Sequence, residues 1–164
     1  MKKLYSLFRL KKLIQEEKNK GKKIVLANGC FDLIHPGHIR YLREAKKKGD
    51  ILVLALNSDS SISRLKGKGR PILNQKERIE ILTAFSFIDY MTVFDEENVE
   101  KVLLALKPDI HAKGSDYTKE TVPEKETVQS YGGSIAIVGG PKINSTSQVI
   151  KRIASKEKES SFGC

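Results

Sequence analysis

The stretch Asn28-Gly-Cys-Phe-Asp-Leu-Ile-His-Pro-Gly-His38 lies between an apolar run at residues 23–27 and a segment with helical spacing at residues 38–48. This order predicts a strand, a tight turn and a helix. Gly37 lets the backbone approach a ligand closely, and the start of the helix offers unpaired N–H groups to an anion. His35 and His38 can donate hydrogen bonds to phosphate oxygens there and, when protonated, neutralise charge developing on them. The stretch therefore predicts an anion-binding site at a strand–turn–helix junction.

The rest of the chain continues the alternation of strand and helix. Further strands are predicted at residues 51–56, 88–93, 109–112 and 134–138, and further helices at residues 75–85, 99–107, 119–131 and 145–154. Asn74 with Glu77 and Ser145 with Gln148 have the spacing of a capping box, which marks the start of a helix. This alternation favours the α/β class, with a Rossmann-like parallel sheet of about five strands and helices on both faces.

The chain is predicted to form one main domain with an appendage at each end. We expect residues 1–22 to form a leading helix packed on the domain, residues 23–154 to form the domain itself, and residues 155–164 to be a polar tail. Polar or glycine-rich segments follow four of the predicted strands, at residues 28–30, 57–59, 113–116 and 139–140. Parallel sheets bind ligands at the carboxyl ends of their strands, so these segments predict the position of the site.

Composition narrows the class of protein. The 164 residues are 39% hydrophobic and 30% charged, which is typical of a soluble folded domain, and the longest apolar runs of about six residues are far short of the roughly 20 that cross a bilayer. The net charge of +10 is compatible with nucleic acid, an anionic membrane or phosphorylated ligands, but most lysines are scattered as on solvated helix faces. Two cysteines, Cys30 and Cys164, indicate neither a disulfide scaffold nor a zinc site. We expect a cytoplasmic protein without a signal peptide.

Alternative chemistries of the histidine turn find less support in the sequence. A metal site would need more ligands, but the remaining histidine is the distant His111 and no acidic cluster lies near the turn. Cys30 is conceivable as a nucleophile, although a small residue in a tight turn is the favoured interpretation. The basic segment at residues 66–70 carries three cations and two glycines and is interpreted as a flexible loop that closes over phosphates.

Several motifs together resemble a known family. Asn28-Gly-Cys-Phe-Asp32 followed by His35-Pro-Gly-His38 resembles the HxGH nucleotidyltransferase superfamily, which includes cytidylyltransferases and adenylyltransferases. Arg64-Leu-Lys-Gly-Lys-Gly-Arg-Pro71, Lys113-Gly-Ser-Asp-Tyr117 and Asn144-Ser-Thr-Ser147 follow in the family order. The combination is most similar to the adenylyltransferase domain of bacterial ADP-heptose synthases and covers residues 22–153.

The resemblance implies an activity and a set of site residues. It implies transfer of AMP from ATP to a sugar 1-phosphate, most specifically D-glycero-beta-D-manno-heptose 1-phosphate, with Mg²⁺ carried by the ATP phosphates and no metal ligand from the protein. The implied catalytic residues are His35, His38, Lys66 and Lys68. The implied nucleotide-binding residues are Asn28, Gly29, Cys30, Phe31, Gly37, Arg70, Gly114, Asp116, Tyr117, Ser145, Thr146 and Ser147.

The resemblance also implies partners and leaves some assignments open. We expect a homodimer and a separate sugar kinase, since the chain has no room for one, and no nucleic-acid or membrane partner. Asp32, Asp59, Arg78 and Lys142 have no settled role; Arg78 is interpreted either as an anion-binding residue or as a surface charge paired with a glutamate. The alternative functions are a glycerol-phosphate-type cytidylyltransferase, an FAD-synthetase-like adenylyltransferase and, from another class, a basic RNA-binding module.

Overall fold

The computed structural model describes residues 3–140 and residues 148, 150, 152, 153 and 155. The strands are β1 (Ile24–Gly29), β2 (Ile51–Asn57), β3 (Tyr90–Phe94), β4 (Ile110–Gly114) and β5 (Ser134–Val138). The helices are α1 (Leu7–Asn19), α2 (Pro36–Lys46), α3 (Asp59–Lys66), α4 (Gln75–Thr83), α5 (Glu100–Leu106) and α6 (Lys125–Ser130). No helix in this part of the chain is long and apolar enough to cross a membrane.

The five strands form one parallel sheet in the order β3-β2-β1-β4-β5. The chain therefore builds outward from β1 to β3 and then returns to place β4 on the other side of β1. The crevice between the carboxyl ends of β1 and β4 is the topological switch point, where open α/β sheets bind their ligands. The predicted parallel sheet is confirmed, and the histidine turn directly follows the strand at this crevice.

Helices cover both faces of the sheet, as predicted. On one face, Val25 and Ala27 of β1 pack in a core cluster with Leu42 of α2 and Leu82 of α4. On the other face, the intervening residues of β1 pack against α1 and α5. Both sets of β1 side chains are fully buried, which explains why this strand is a continuous apolar run rather than an alternation of apolar and polar residues.

The helix after β2 differs from the sequence-based expectation. Residues 59–66 form α3, whereas no helix was predicted between the second strand and residue 75. Ser58 caps this helix by accepting a hydrogen bond from the Ser61 N–H, and Ile62 anchors it in the core. The three serines of α3 have low helix propensity, so tertiary packing of Ile62 decides its conformation. Lys66 is consequently the last residue of a helix and not part of a loop.

One further helix has clearly different bounds from those expected. The helix predicted at residues 119–131 is shorter, because Pro123 lacks an N–H donor and Thr118 and Thr121 form a local side-chain turn before α6. The Asn74–Glu77 capping box at the start of α4 is confirmed. The Ser145–Gln148 box and most of the helix predicted at residues 145–154 lie outside the described residues.

Candidate active site

The histidine turn begins α2 two residues earlier than the sequence suggested. His35 is the N-cap of α2 and His38 lies in its first turn, with their rings stacked at a centroid distance of 3.9 Å. The Nδ1 atom of His35 accepts a hydrogen bond from the Gly37 N–H at 3.1 Å, and the Nδ1 atom of His38 accepts a longer one from the His35 N–H at 3.4 Å. An imidazole that accepts through Nδ1 carries its hydrogen on Nε2 when neutral. The turn therefore fixes both rings in the same tautomer.

The charge state of His38 follows from its burial. Burial, with a smaller contribution from the neighbouring His35, lowers the pKa of His38 from 6.5 to about 4. His38 is therefore neutral at pH 7 in the unliganded protein and acts there as an Nε2–H donor rather than as a cation. At the N-terminus of α2, this donor adds to the partial positive charge of the helix end.

Phe31 closes the inner side of the turn. Its ring is buried and lies 5.1 Å from the His38 ring and 6.3 Å from the Tyr41 ring, measured between centroids. Its backbone has a φ of +48°, the left-handed region that a bulky side chain rarely adopts. A Cβ atom at Gly29 would lie 2.9 Å from the Phe31 ring, so glycine is needed there for this packing.

Asp32 organises the segment that follows the basic residues. This buried carboxylate forms an ion pair with Arg70 at 2.6 Å and accepts hydrogen bonds from the Ile72 and Leu73 N–H groups at 2.8 and 3.0 Å. The role left open for Asp32 is therefore to fasten the start of α4 to the histidine turn. Arg70, predicted to bind the nucleotide, is paired with Asp32 in this structure.

Arg78 is neither a surface charge nor an exposed anion-binding residue, which corrects both interpretations of it. Its side chain is fully buried, and its Nη2 forms an ion pair with Asp59 at 2.7 Å. Its Nη1 donates to the carbonyl oxygens of Cys30 at 2.6 Å and Asn57 at 2.9 Å, and its Nε donates to that of Leu73 at 3.1 Å. A guanidinium buried without such partners would be strongly unfavourable, so these contacts account for its position.

The predicted lysines differ in their surroundings. Lys66 lies close enough to Cys30 for its charge to act on the thiol: burial, the largest effect, raises the pKa of Cys30, and Lys66 opposes it. Lys68 is exposed, between Gly67 and Gly69, which both have left-handed backbone conformations. Both side chains are exposed, and Lys66, at the end of α3, is the one whose charge acts on the Cys30 thiol.

Residues at the end of β4 form the other wall of the crevice. Lys113 is nearly buried, forms an ion pair with Glu124 at 3.2 Å and lies 4.8 Å from the centre of the Tyr117 ring. Gly114 ends the strand, and Asp116 and Tyr117 are exposed on the turn after it. The predicted residues Ser145, Thr146 and Ser147, and Lys142, lie outside the described residues.

His111 is a site neighbour that the sequence analysis treated only as a remote histidine. It is fully buried on β4, its Nε2 lies 3.1 Å from the Oδ1 of Asn28, and burial lowers its pKa to about 3. As a neutral donor through Nε2, His111 orients the Asn28 carboxamide at the end of β1. Only the pairing of β1 with β4 brings these residues together, and no local sequence signal predicts it.

The described residues offer the groups of a phosphate-binding site. They combine a helix N-terminus, two stacked imidazoles and a lysine at the carboxyl ends of parallel strands. Within residues 3–140 and the five further described positions, no three His, Cys, Asp or Glu side chains are grouped so as to hold a metal ion. The helix N-terminus and the two imidazoles fit stabilisation of phosphate charge by the protein's own donors.

The sequence matches the family model described as Cytidylyltransferase-like over residues 26–159. The chain belongs to this family and is a nucleotidyltransferase, which confirms the resemblance to the HxGH superfamily. Among its relatives, the "Bifunctional protein HldE" of Syntrophotalea carbinolica is 47% identical over 150 residues, covering 92% of this chain and 31% of that protein. The protein of the same name from Pelobacter propionicus is 49% identical over 144 residues, covering 88% of this chain and 30% of that protein. The chain thus spans about a third of the length of these relatives.

Two solved structures share the fold. The "lipopolysaccharide core biosynthesis protein from Thermoplasma volcanium GSS1" aligns with a TM-score of 0.59 and 33% identity, covering 71% of this chain and 94% of that one. Pantoate-beta-alanine ligase from Francisella tularensis aligns with a TM-score of 0.61, covering 90% of this chain and 69% of that one. At 16% identity, the second likeness supports the fold alone.

Proposed function

We propose that this chain transfers AMP from ATP to D-glycero-beta-D-manno-heptose 1-phosphate, producing ADP-heptose and pyrophosphate. The observation that carries the proposal is the pair of stacked imidazoles at the N-terminus of α2, both accepting backbone hydrogen bonds through Nδ1. In this arrangement each ring, when neutral, carries its hydrogen on Nε2, the atom suited to donate to the oxygens of a triphosphate.

The proposed reaction needs no nucleophile from the protein. A phosphate oxygen of the sugar phosphate forms a bond to the α-phosphorus of ATP, the bond from that phosphorus to the bridging oxygen breaks, and pyrophosphate leaves with the electron pair. Catalysis then consists of positioning the two substrates and stabilising the charge on the transferring group. His35 and His38 would act as donors to this group, and Lys66 as the nearby positive charge. The nucleotide-binding residues proposed beside them are those named from the resemblance.

The choice of acceptor is supported by the sequence motifs and the relatives. The motifs at residues 28–32, 64–71 and 113–117 resemble those of ADP-heptose synthases, and relatives named Bifunctional protein HldE share close to half of their aligned residues with this chain. The Thermoplasma volcanium structure is described as a lipopolysaccharide core biosynthesis protein, and ADP-heptose is proposed to serve the same purpose here.

Magnesium is proposed to enter with the ATP phosphates. Two carboxylates of this region fit this proposal, because Asp32 is engaged by Arg70 and two backbone N–H groups, and Asp59 by Arg78 and the Gln75 N–H. Mg²⁺ retains water ligands readily and commonly binds through substrate phosphates, where it would neutralise phosphate charge. A cytoplasmic location, a homodimer and a separate sugar kinase are further parts of the proposal.

A matrix of nucleotides and acceptors tests the proposed function. The full chain is incubated with Mg²⁺ and either ATP or CTP, together with heptose 1-phosphate or glycerol 3-phosphate, and pyrophosphate release is measured. We expect turnover only with ATP and heptose 1-phosphate, and loss of that turnover in His38→Ala. Turnover with CTP and glycerol 3-phosphate alone would assign the alternative cytidylyltransferase function. RNA retained on filters at physiological salt, without any turnover, would instead favour the binding module.

A further inference from the structure

Arg78 is attached to three separate parts of the chain that meet behind the histidine turn. Its guanidinium uses four N–H donors for the carbonyl oxygens of Cys30, Asn57 and Leu73 and the carboxylate of Asp59. Cys30 follows β1. Asn57 ends β2 and Asp59 begins α3 two residues later, and Leu73 lies just before α4. A planar guanidinium has five donors in a fixed geometry, so it holds such partners at defined mutual distances.

The bond to Cys30 sets the direction of one peptide group of the proposed nucleotide-binding stretch. In a trans peptide, the C=O and the following N–H point in opposite directions. Because the Cys30 carbonyl is directed to Arg78 at 2.6 Å, the N–H of Phe31 is directed away from Arg78. The left-handed φ of Phe31 directly follows this peptide, and such a conformation persists only where surrounding contacts enforce it.

A second attachment holds the same region from the other side. Leu73 accepts a hydrogen bond from Arg78 through its carbonyl and donates one to Asp32 through its N–H at 3.0 Å. Cys30 and Asp32 lie two residues apart on the turn, and both are therefore hydrogen-bonded to the segment at residues 73–78. This double attachment restrains the backbone immediately before the histidine pair.

We propose that Arg78 is a positioning residue for nucleotidyl transfer, which holds the Cys30–Phe31 peptide so that the Phe31 N–H faces the nucleotide phosphates. Arg78 acts through this backbone and does not itself contact substrate, since its side chain is fully buried and its donors are directed to protein oxygens. The inference rests on the proposed function of the site, but it concerns a residue to which the resemblance assigns no role.

Arg78→Lys tests the inference, because lysine keeps the charge but concentrates its donors on a single nitrogen and cannot reach all four partners. In Arg78→Lys the phosphate-binding groups of the turn should be displaced. The kcat for pyrophosphate release should therefore fall about 100-fold when both substrates are saturating. If the Phe31 N–H no longer donates to a phosphate, nucleotide affinity should weaken about tenfold. Titration calorimetry without the sugar phosphate measures this affinity.

A matched control separates positioning from general destabilisation. Leu103→Ala removes a fully buried side chain from α5, in the core cluster on the opposite face from Leu42 and Leu82. Its melting temperature should fall, while kcat and nucleotide affinity measured below the transition stay within twofold of the original protein. Equal kinetic losses in the two variants, or a kcat within threefold of the original in Arg78→Lys, would overturn the inference.

A second variant covers the case in which Arg78→Lys does not fold. Asp59→Asn removes the charged partner that fixes the guanidinium of Arg78. The bond from Arg78 to the Cys30 carbonyl should then be held less firmly, so a reduction of about fivefold in nucleotide affinity is expected. An unchanged affinity in Asp59→Asn would also contradict the inference. If the original protein binds nucleotide but releases no pyrophosphate with any acceptor, the proposed function fails, while the affinity comparison still decides the role of Arg78.

Discussion

The two imidazoles illustrate how local backbone geometry determines the chemistry of a side chain. His35 and His38 use Nδ1 to accept N–H groups that the first turn of a helix would otherwise leave unpaired. The same contacts assign the hydrogen of each neutral ring to Nε2. Capping of the helix and donation to an anion are therefore compatible roles of one side chain, carried by different ring atoms.

His38→Ala tests the role of a neutral donor. Removing one transition-state donor is expected to reduce kcat about 100-fold or more, with a cooperative thermal unfolding transition retained. His38→Gln offers an amide N–H at about the reach of Nε2 and should recover part of the rate. Pyrophosphate release at saturating substrates measures both variants, and near-normal turnover in His38→Ala would refute the assigned role.

Single residues also mark the limit of what the sequence predicts. The histidine pair could be predicted because both members lie in one short motif at a helix start. Arg78 could not be assigned, since a polar helix of ordinary composition gives no sign that one of its arginines is fully buried. His111 likewise gains its meaning from Asn28, 83 residues away in the chain. Contacts between distant segments decide both cases.

At the level of elements, strands were easier to predict than helices. All five strands were found within a few residues of their predicted positions. The clearest were β1 and β2, since strands buried on both faces are continuous aliphatic runs. The helix α3 was missed because its serines do not favour a helix, and contacts of the buried Ser61 and Ile62 with other parts of the chain hold it in place. Its presence changes the interpretation of the basic segment, which now begins at a helix end.

The two lysines of this segment are expected to differ in their effects. Lys66 ends α3 near the Cys30 thiol, so Lys66→Ala should reduce kcat about tenfold or more if its charge acts on the transferring phosphate. Lys68 lies beyond the helix end between Gly67 and Gly69, so Lys68→Ala should mainly raise KM for the substrates with kcat within about threefold. Steady-state kinetics on the pair provides the comparison, each variant serving as the control for the other. The reverse pattern would place Lys68 rather than Lys66 at the reacting phosphate.

For the whole molecule, the net charge of +10 agrees with two anionic substrates, which a positive field attracts. The same charge works against stability in acid, where the carboxylates that balance it become protonated. Two imidazoles, the half-buried His38 and the fully buried His111, add a specific contribution to the pH dependence of stability at higher pH. Burial lowers the pKa of His38 to about 4 and that of His111 to about 3, whereas both titrate near 6.5 in the unfolded chain.

The stability of the protein should therefore fall as the pH drops below about 6.5. Between pH 6.5 and 5 the unfolded chain takes up protons at both histidines while the folded protein does not, so each histidine lowers the free energy of unfolding by about 1 kcal/mol per pH unit. Above pH 6.5 this stabilisation is fully present. Urea unfolding at several pH values measures the slope of the free energy of unfolding against pH. His111→Gln retains an N–H donor for Asn28 but does not titrate, so it should reduce this slope by the contribution of one histidine. A slope unchanged by His111→Gln would show that the folded protein protonates His111 over this range, contrary to its burial beside β1.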